Sequence, residues 1–207
     1  MAAKLLDLES QRRDAILNAA LKEFALKGFD NASTNVIAKE AGISKALMFH
    51  YVGNKQELFL FVQDYFTELL DKEYTEKMDF SERDIFARLR QSYLLQIVLM
   101  KQYPWIFEFG KLSVATKSEE LNKALENRSD KKQSSCGHQI FDMIDISQFR
   151  EGLDIEKCKQ FIFWGNVGFI NQILDDIRNL RASNLDYEHI VATLDEYFDE
   201  LRKVFYV

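Results

Sequence analysis

The chain has 207 residues, of which 47% are hydrophobic and 13% aromatic, ample for a sizeable core, and this composition excludes an intrinsically disordered polypeptide. Its one Pro and eight Gly are sparse punctuation, which favours an all-helical protein. No apolar run approaches the ~18 residues of a membrane span, and no signal peptide is expected. The formal charge of −6 is uneven: residues 1–60 hold eight Lys/Arg against seven Asp/Glu, and the remainder holds 19 against 26, so a near-neutral head precedes an acidic body.

In chain order, Ile16, Leu17, Ala20, Leu21 and Phe24 recur at three- and four-residue spacing and predict a first helix, with Ser10 as N-cap and Gly28 as its stop. Ser33 caps a short second helix over 34–41, with Ile37, Ala38 and Ala41 inward. Gly42 breaks it, Ile43 plugs the turn, and Ser44 caps a third helix to about Tyr51. A longer fourth helix runs from about Lys55 to Tyr74. Ser81 and Asp84 read as a capping arrangement for a helix to about Lys101, and Pro104 suits the first turn of the next. Residues 119–146 are helical with a polar break at 128–137, and two long helices, 154–181 and 186–205, close the chain.

Two short helices joined by a tight turn, with Ala38 four positions before Gly42, describe a helix-turn-helix. A large side chain at 38 would push the helices apart, and Gly42 takes the positive φ that other residues resist. The spacing buries Ile37, Ile43, Met48 and Tyr51 and leaves Ser44, Lys45, Ala46, Leu47, Phe49 and His50 outward. Such a strip, flanked by Lys45 and Lys55, suits a helix laid in a major groove, where apolar groups touch thymine methyls and His or Ser bonds base edges or phosphates. The start of the fourth helix, near Lys55, adds N–H groups for a phosphate. The alternative is that Phe49 and His50 pack against the protein itself, or that the motif binds another protein.

Residues 15–59, AILNAALKEFALKGFDNASTNVIAKEAGISKALMFHYVGNKQELF, resemble the DNA-binding domain of the TetR family of bacterial transcriptional regulators. The matching pieces are AAxxxF in the first helix, GF at 28–29, IAxxAG at 37–42, SK at 44–45, HY at 50–51 and NKxEL at 54–58. The resemblance implies an all-α homodimer with a three-helix head over residues 1–54 and a helical ligand-binding and dimerisation domain over 55–207. Ser44, Lys45, His50, Tyr51 and Lys55 carry over as DNA contacts, with Ser33 and Thr34 as phosphate contacts. Ala46, Leu47, Phe49 and Val52 stand where the family commonly has Gly, Thr, Tyr and Phe. Leu47 and Phe49 lack hydroxyls that often bond phosphates, which favours methyl contacts there.

The resemblance further implies a cavity for an inducer. Phe61, Tyr65, Tyr93, Gln96, Met100, Trp105, Phe109 and Phe141 are the candidate lining, chosen for bulk, a polar tip or flexibility. An acidic, aromatic body suits a lipophilic cation or a long oily chain. The helix near 155–177 is too apolar for one buried stripe, and the last helix carries a clean one. Together they read as half of a four-helix dimer interface: Phe161, Trp164, Gly165, Gly168, Phe169, Val191, Leu194, Tyr197, Phe198 and Leu201, with both glycines allowing close approach. Packing wholly inside one subunit is the alternative.

No GxGxxG, P-loop, HExxH or GxSxG is present, and Cys136-Gly137-His138 is half a metal site at most, so no catalysis, metal or cofactor is expected. Cys136 and Cys158 form no CxxC pair, which points to a reducing, cytoplasmic setting. The expected protein is a ligand-responsive regulator, binding double-stranded palindromic DNA as a dimer and repressing until an inducer releases it; activation is the alternative, because sequence does not encode where the operator lies.

Overall fold

The computed structural model describes residues 3–111, 116–129, 139–179 and 185–207. Its helices are α1 (Ala3–Leu6), α2 (Ser10–Asn31), α3 (Thr34–Glu40), α4 (Lys45–Val52), α5 (Lys55–Glu73), α6 (Ile85–Gln102), α7 (Ile106–Gly110), α8 (Glu119–Ser129), α9 (Ile155–Asn179) and α10 (Tyr187–Phe205). Among the described residues the only β pairing is one isolated antiparallel bridge, Phe149 with Tyr206. The fold is all-α. The chain divides into two compact units, Met1–Asp71 with Met100–Gln133, and Lys72–Leu99 with Ser134–Val207.

In the first unit, Ile16, Leu17, Ala20, Leu21 and Phe24 of α2 are fully buried, the face their spacing predicts. Gly28, with φ 65° and ψ 175°, leaves helical geometry and kinks α2, so the sequence-predicted stop falls where the helix breaks. The N-cap of α2 is Glu9 rather than Ser10, and no side chain bonds there. Leu5 of α1, a segment without an amphipathic pattern to announce it, is completely buried. It belongs to a short helix that packs on α4.

In the second unit, α6 buries Ile85, Phe86, Leu89 and Tyr93, α9 buries Cys158, Ile162, Ile173 and Leu174, and α10 buries Leu194 and Phe198. Asp84, not Ser81, caps α6. Its carboxylate accepts the Phe86 and Ala87 N–H groups at 2.8 and 3.1 Å, while the Ser81 hydroxyl turns to Asp79. Arg88 is 1% exposed, and it donates to the carbonyls of Phe80, Glu82, Gln139, Ile140 and Asp142. A buried cation satisfied by five carbonyls gathers those segments around α6.

Candidate nucleic-acid interface and effector cavity

The turn between α3 and α4 has the expected construction. Gly42 sits at φ 69°, and the Ile43 N–H reaches back to the Ala38 carbonyl at 3.0 Å, a closeness that the 2%-exposed Ala38 permits. Ser44 caps α4, its hydroxyl accepting the Leu47 N–H at 3.1 Å. Met48 and Val52, one turn apart, are completely buried and anchor the helix. That leaves Ser44, Lys45, Ala46, Leu47 and His50 exposed. Phe49 and Tyr51 are both half-buried, which corrects the expectation of an outward Phe49 and an inward Tyr51. Adjacent residues lie about 100° apart, so with 48 and 52 pointing inward, 49 and 51 flank the buried line. The Lys45 ammonium stands 5.6 Å from the centroid of the Phe49 ring.

Three contacts fix the neighbours of α4. Glu23 of α2, only 8% exposed, accepts the Ser33 N–H at 2.8 Å and supplies the cap that the Ser33 side chain does not make. A buried carboxylate at a helix N-terminus meets both an unpaired donor and the positive end of the helix dipole. Sequence reading missed it because its partner lies ten residues on and no local motif links them. Ser33 and Thr34 themselves are half-buried at the start of α3.

Lys55, expected among the DNA contacts, donates to the Asp30 carbonyl at 3.1 Å with its ammonium 4.8 Å from the Phe29 ring centroid. Burial lowers its pKa, partly offset by Asp30 and Glu23. It clamps the start of α5 to the end of α2. Asn54 caps α5, accepting the Glu57 N–H at 2.9 Å and donating to its carboxylate at 2.8 Å.

A cavity of about 170 Å³ also lies in the first unit, lined by Phe59, Gln63, Phe66, Thr67, Leu70, Ile106, Phe109 and Gly110. Of the sequence-predicted lining, Phe109 faces this cavity. Phe61, Tyr65, Met100 and Trp105 belong to the same unit and are not on its wall, while Tyr93, Gln96 and Phe141 belong to the other unit. There the Tyr93 hydroxyl donates to the Asn166 carbonyl at 3.1 Å, and burial pushes its pKa up. The Gln96 amide donates to Ser92 at 2.9 Å.

Two features give this cavity a physical reach. Phe59 on its wall stacks edge-on against Phe24 and Phe29 of α2, at centroid distances of 4.9 and 5.3 Å, and lies 5.7 Å from Phe109. The side-chain oxygen of Gln63 is buried and has no hydrogen-bond partner among the described residues, an acceptor suited to a ligand donor. An engineered cavity of about 150 Å³ holds benzene, so this one accommodates a ring or a short run of methylenes.

The expected dimer surface is only partly accessible. Phe161 and Trp164 are each 57% exposed, and Phe163, Val167 and Gly168 are exposed beside them. Leu194 and Phe198 are a correction: at 0% and 4% exposed they belong to the protomer's own core, Phe198 against Phe86 and Tyr93. Gly165 is a second correction, since its missing side chain makes room for the Tyr197 hydroxyl of the same chain, whose ring stacks on Phe169 at 6.2 Å. Val191 and Leu201 are half-buried. Cys136-Gly137-His138 lies outside the described residues, among which no group of three His, Cys, Asp or Glu is placed to hold a metal ion. Among the described residues no helix is long and apolar enough to cross a membrane.

A model of the bacterial regulatory proteins of the tetR family matches residues 16–62. The fatty acid metabolism regulator protein of Bacillus subtilis (strain 168) is 25% identical over 154 residues, covering 72% of this chain and 76% of that protein. The HTH-type transcriptional regulator BetI of Agrobacterium fabrum (strain C58) is 45% identical over 53 residues, 26% of each chain. Among solved structures, the ketosteroid transcriptional regulator KstR2 of Mycobacterium tuberculosis is similar in fold, with a TM-score of 0.62 at 18% identity and 97% of both chains covered.

Proposed function

On the match of residues 16–62 to the tetR family of bacterial regulatory proteins, we propose that the chain is a non-enzymatic regulator of that family, acting in the cytoplasm as a dimeric repressor that lays α4 into the major groove of each half of a palindromic operator. The observation that carries this is the exposed strip Lys45, Ala46, Leu47 and His50, on a helix whose opposite side is pinned by Met48 and Val52. Ser44 and Thr34 supply phosphate contacts, and Lys55 sets the angle of α5. The exposed rings of α9, Phe161, Phe163 and Trp164, form the contact between protomers. A two-fold dimer demands half-sites separated by whole helical turns. Selection of bound duplexes from a random pool, run at two salt concentrations, tests the proposal. Enrichment of a palindrome whose binding weakens steeply with salt supports it, because Lys and Arg release counterions from phosphates. Enrichment of nothing, in the presence or absence of cell extract, refutes it.

The effector in this proposal is a fatty-acyl compound. The name of the Bacillus subtilis relative supports that class, as does a cavity walled by three rings, Phe59, Phe66 and Phe109, and the aliphatic Leu70 and Ile106, beside Gln63 and Thr67. The cavity takes only part of such a molecule. An occupant there displaces Phe59 or Phe109, and the ring contacts of Phe59 pass the displacement to α2, from which Glu23 holds α3. Disturbing α3 and α4 lowers affinity for the operator, which is the sign expected of an inducer.

A further inference from the structure

Each base pair shows a distinct pattern in the major groove, and the side chains that read it differ. Guanine takes Arg or Lys, adenine takes Asn or Gln, cytosine takes an acid, and the thymine methyl takes an apolar group. Helix α4, KALMFHYV, contains no Arg, Asn, Gln, Asp or Glu. Its exposed residues are Lys45, Ala46, Leu47 and His50. The Ser44 hydroxyl is committed as an acceptor to the Leu47 N–H, and Lys45 sits at the first turn, beside the Phe49 ring. Leu47 stands at the middle of the outward strip, 36% exposed, three residues before His50 and next to Ala46. Its side chain has no role in the core that Met48 and Val52 occupy. The thymine C5-methyl is the one apolar group on the major-groove edge.

We infer that Leu47, with Ala46 beside it, reads thymine in each half-site through its methyl group, and that Leu47 is a specificity-determining residue of this protein. The inference rests on the reading that α4 enters the major groove. It commits the protein to an operator in which one or two thymines per half-site cannot be exchanged for another base. Lys45 and His50 supply the remaining polar readout.

The test replaces each thymine of the selected operator, one at a time, by deoxyuridine, which pairs identically and lacks the methyl. Binding of the full-length protein to each duplex is measured by fluorescence anisotropy. Loss of one buried methyl predicts about fourfold weaker binding per position, and about fifteenfold when both half-sites are changed. Leu47→Ala, at an exposed helical position, keeps the fold, as circular dichroism will show. It binds the thymine operator more weakly and is insensitive to the deoxyuridine exchange. A tightly bound operator on which no exchange matters overturns the inference and leaves the DNA reading standing. Exchange effects that are equal in wild type and Leu47→Ala overturn the assignment to Leu47. Failure of wild type to bind any duplex overturns the underlying reading instead.

Discussion

Glu23 has no place in the helix-turn-helix motif, yet the position of α3 depends on it. Its carboxylate is buried, receives the Ser33 N–H at 2.8 Å, and stands where the dipole of α3 is positive. Glu23→Ala leaves that half-buried donor without its carboxylate and is expected to cost about 1–3 kcal/mol, read as a lower urea midpoint with an unchanged slope. An unchanged midpoint contradicts the role. Ser44, Lys45, Ala46, Leu47 and His50 were legible as exposed because the positions that must face the core are set by a 3.6-residue period, whereas Phe49 and Tyr51, flanking the buried line, were not. The role of Lys55 was not legible. From sequence it is a basic residue beside a helix start, and only the folded chain puts the Phe29 ring and the Asp30 carbonyl within its reach.

At the scale of elements, α9 and α10 divide the work that sequence assigned to them jointly. The stripe on α10 is sharp because one side of it is packed inside the protomer, with Leu194 and Phe198 at its centre. A hydrophobic stripe says that a face is covered and does not say by which chain. Helix α9 is apolar on more than one side, and it is α9 that leaves Phe161 and Trp164 exposed, 5.7 Å apart and edge to face. Two substitutions separate the roles. Trp164→Glu is expected to shift sedimentation toward monomer while thermal stability of the monomer stays within about 0.5 kcal/mol, as surface changes usually do. Phe198→Glu buries a charge and costs several kcal/mol whatever the oligomeric state. A fully dimeric Trp164→Glu would place the interface elsewhere. Helix limits were legible where a glycine ends the helix, as at Gly42 and Gly53, with φ 69° and 79°. They were less so at α6, where Ser81 and Asp84 offered two caps and only one reaches the first free N–H groups.

For the molecule as a whole, the all-α class followed from few glycines, one proline and long periodic segments, whereas the cavity did not follow from any pattern. Its wall draws on α5 and α7, and a ring on such a wall has the same spacing as a ring in solid core; Tyr65 and Trp105 match Phe59 and Phe109 in kind and differ only in where packing leaves space. In the proposed function, occupancy of this cavity controls the affinity of α4 for DNA, through Phe59, α2, Glu23 and α3. The most direct test titrates the protein–operator complex with palmitic acid and with palmitoyl-CoA, following anisotropy of the labelled duplex. The comparison is with Leu70→Trp, which fills the cavity from its wall. Release of wild type, with operator affinity lowered about tenfold or more, and a response of less than about twofold in Leu70→Trp are predicted, within the usual range of allosteric coupling. A wild-type complex that neither ligand weakens, or an equal response of both proteins, would contradict it.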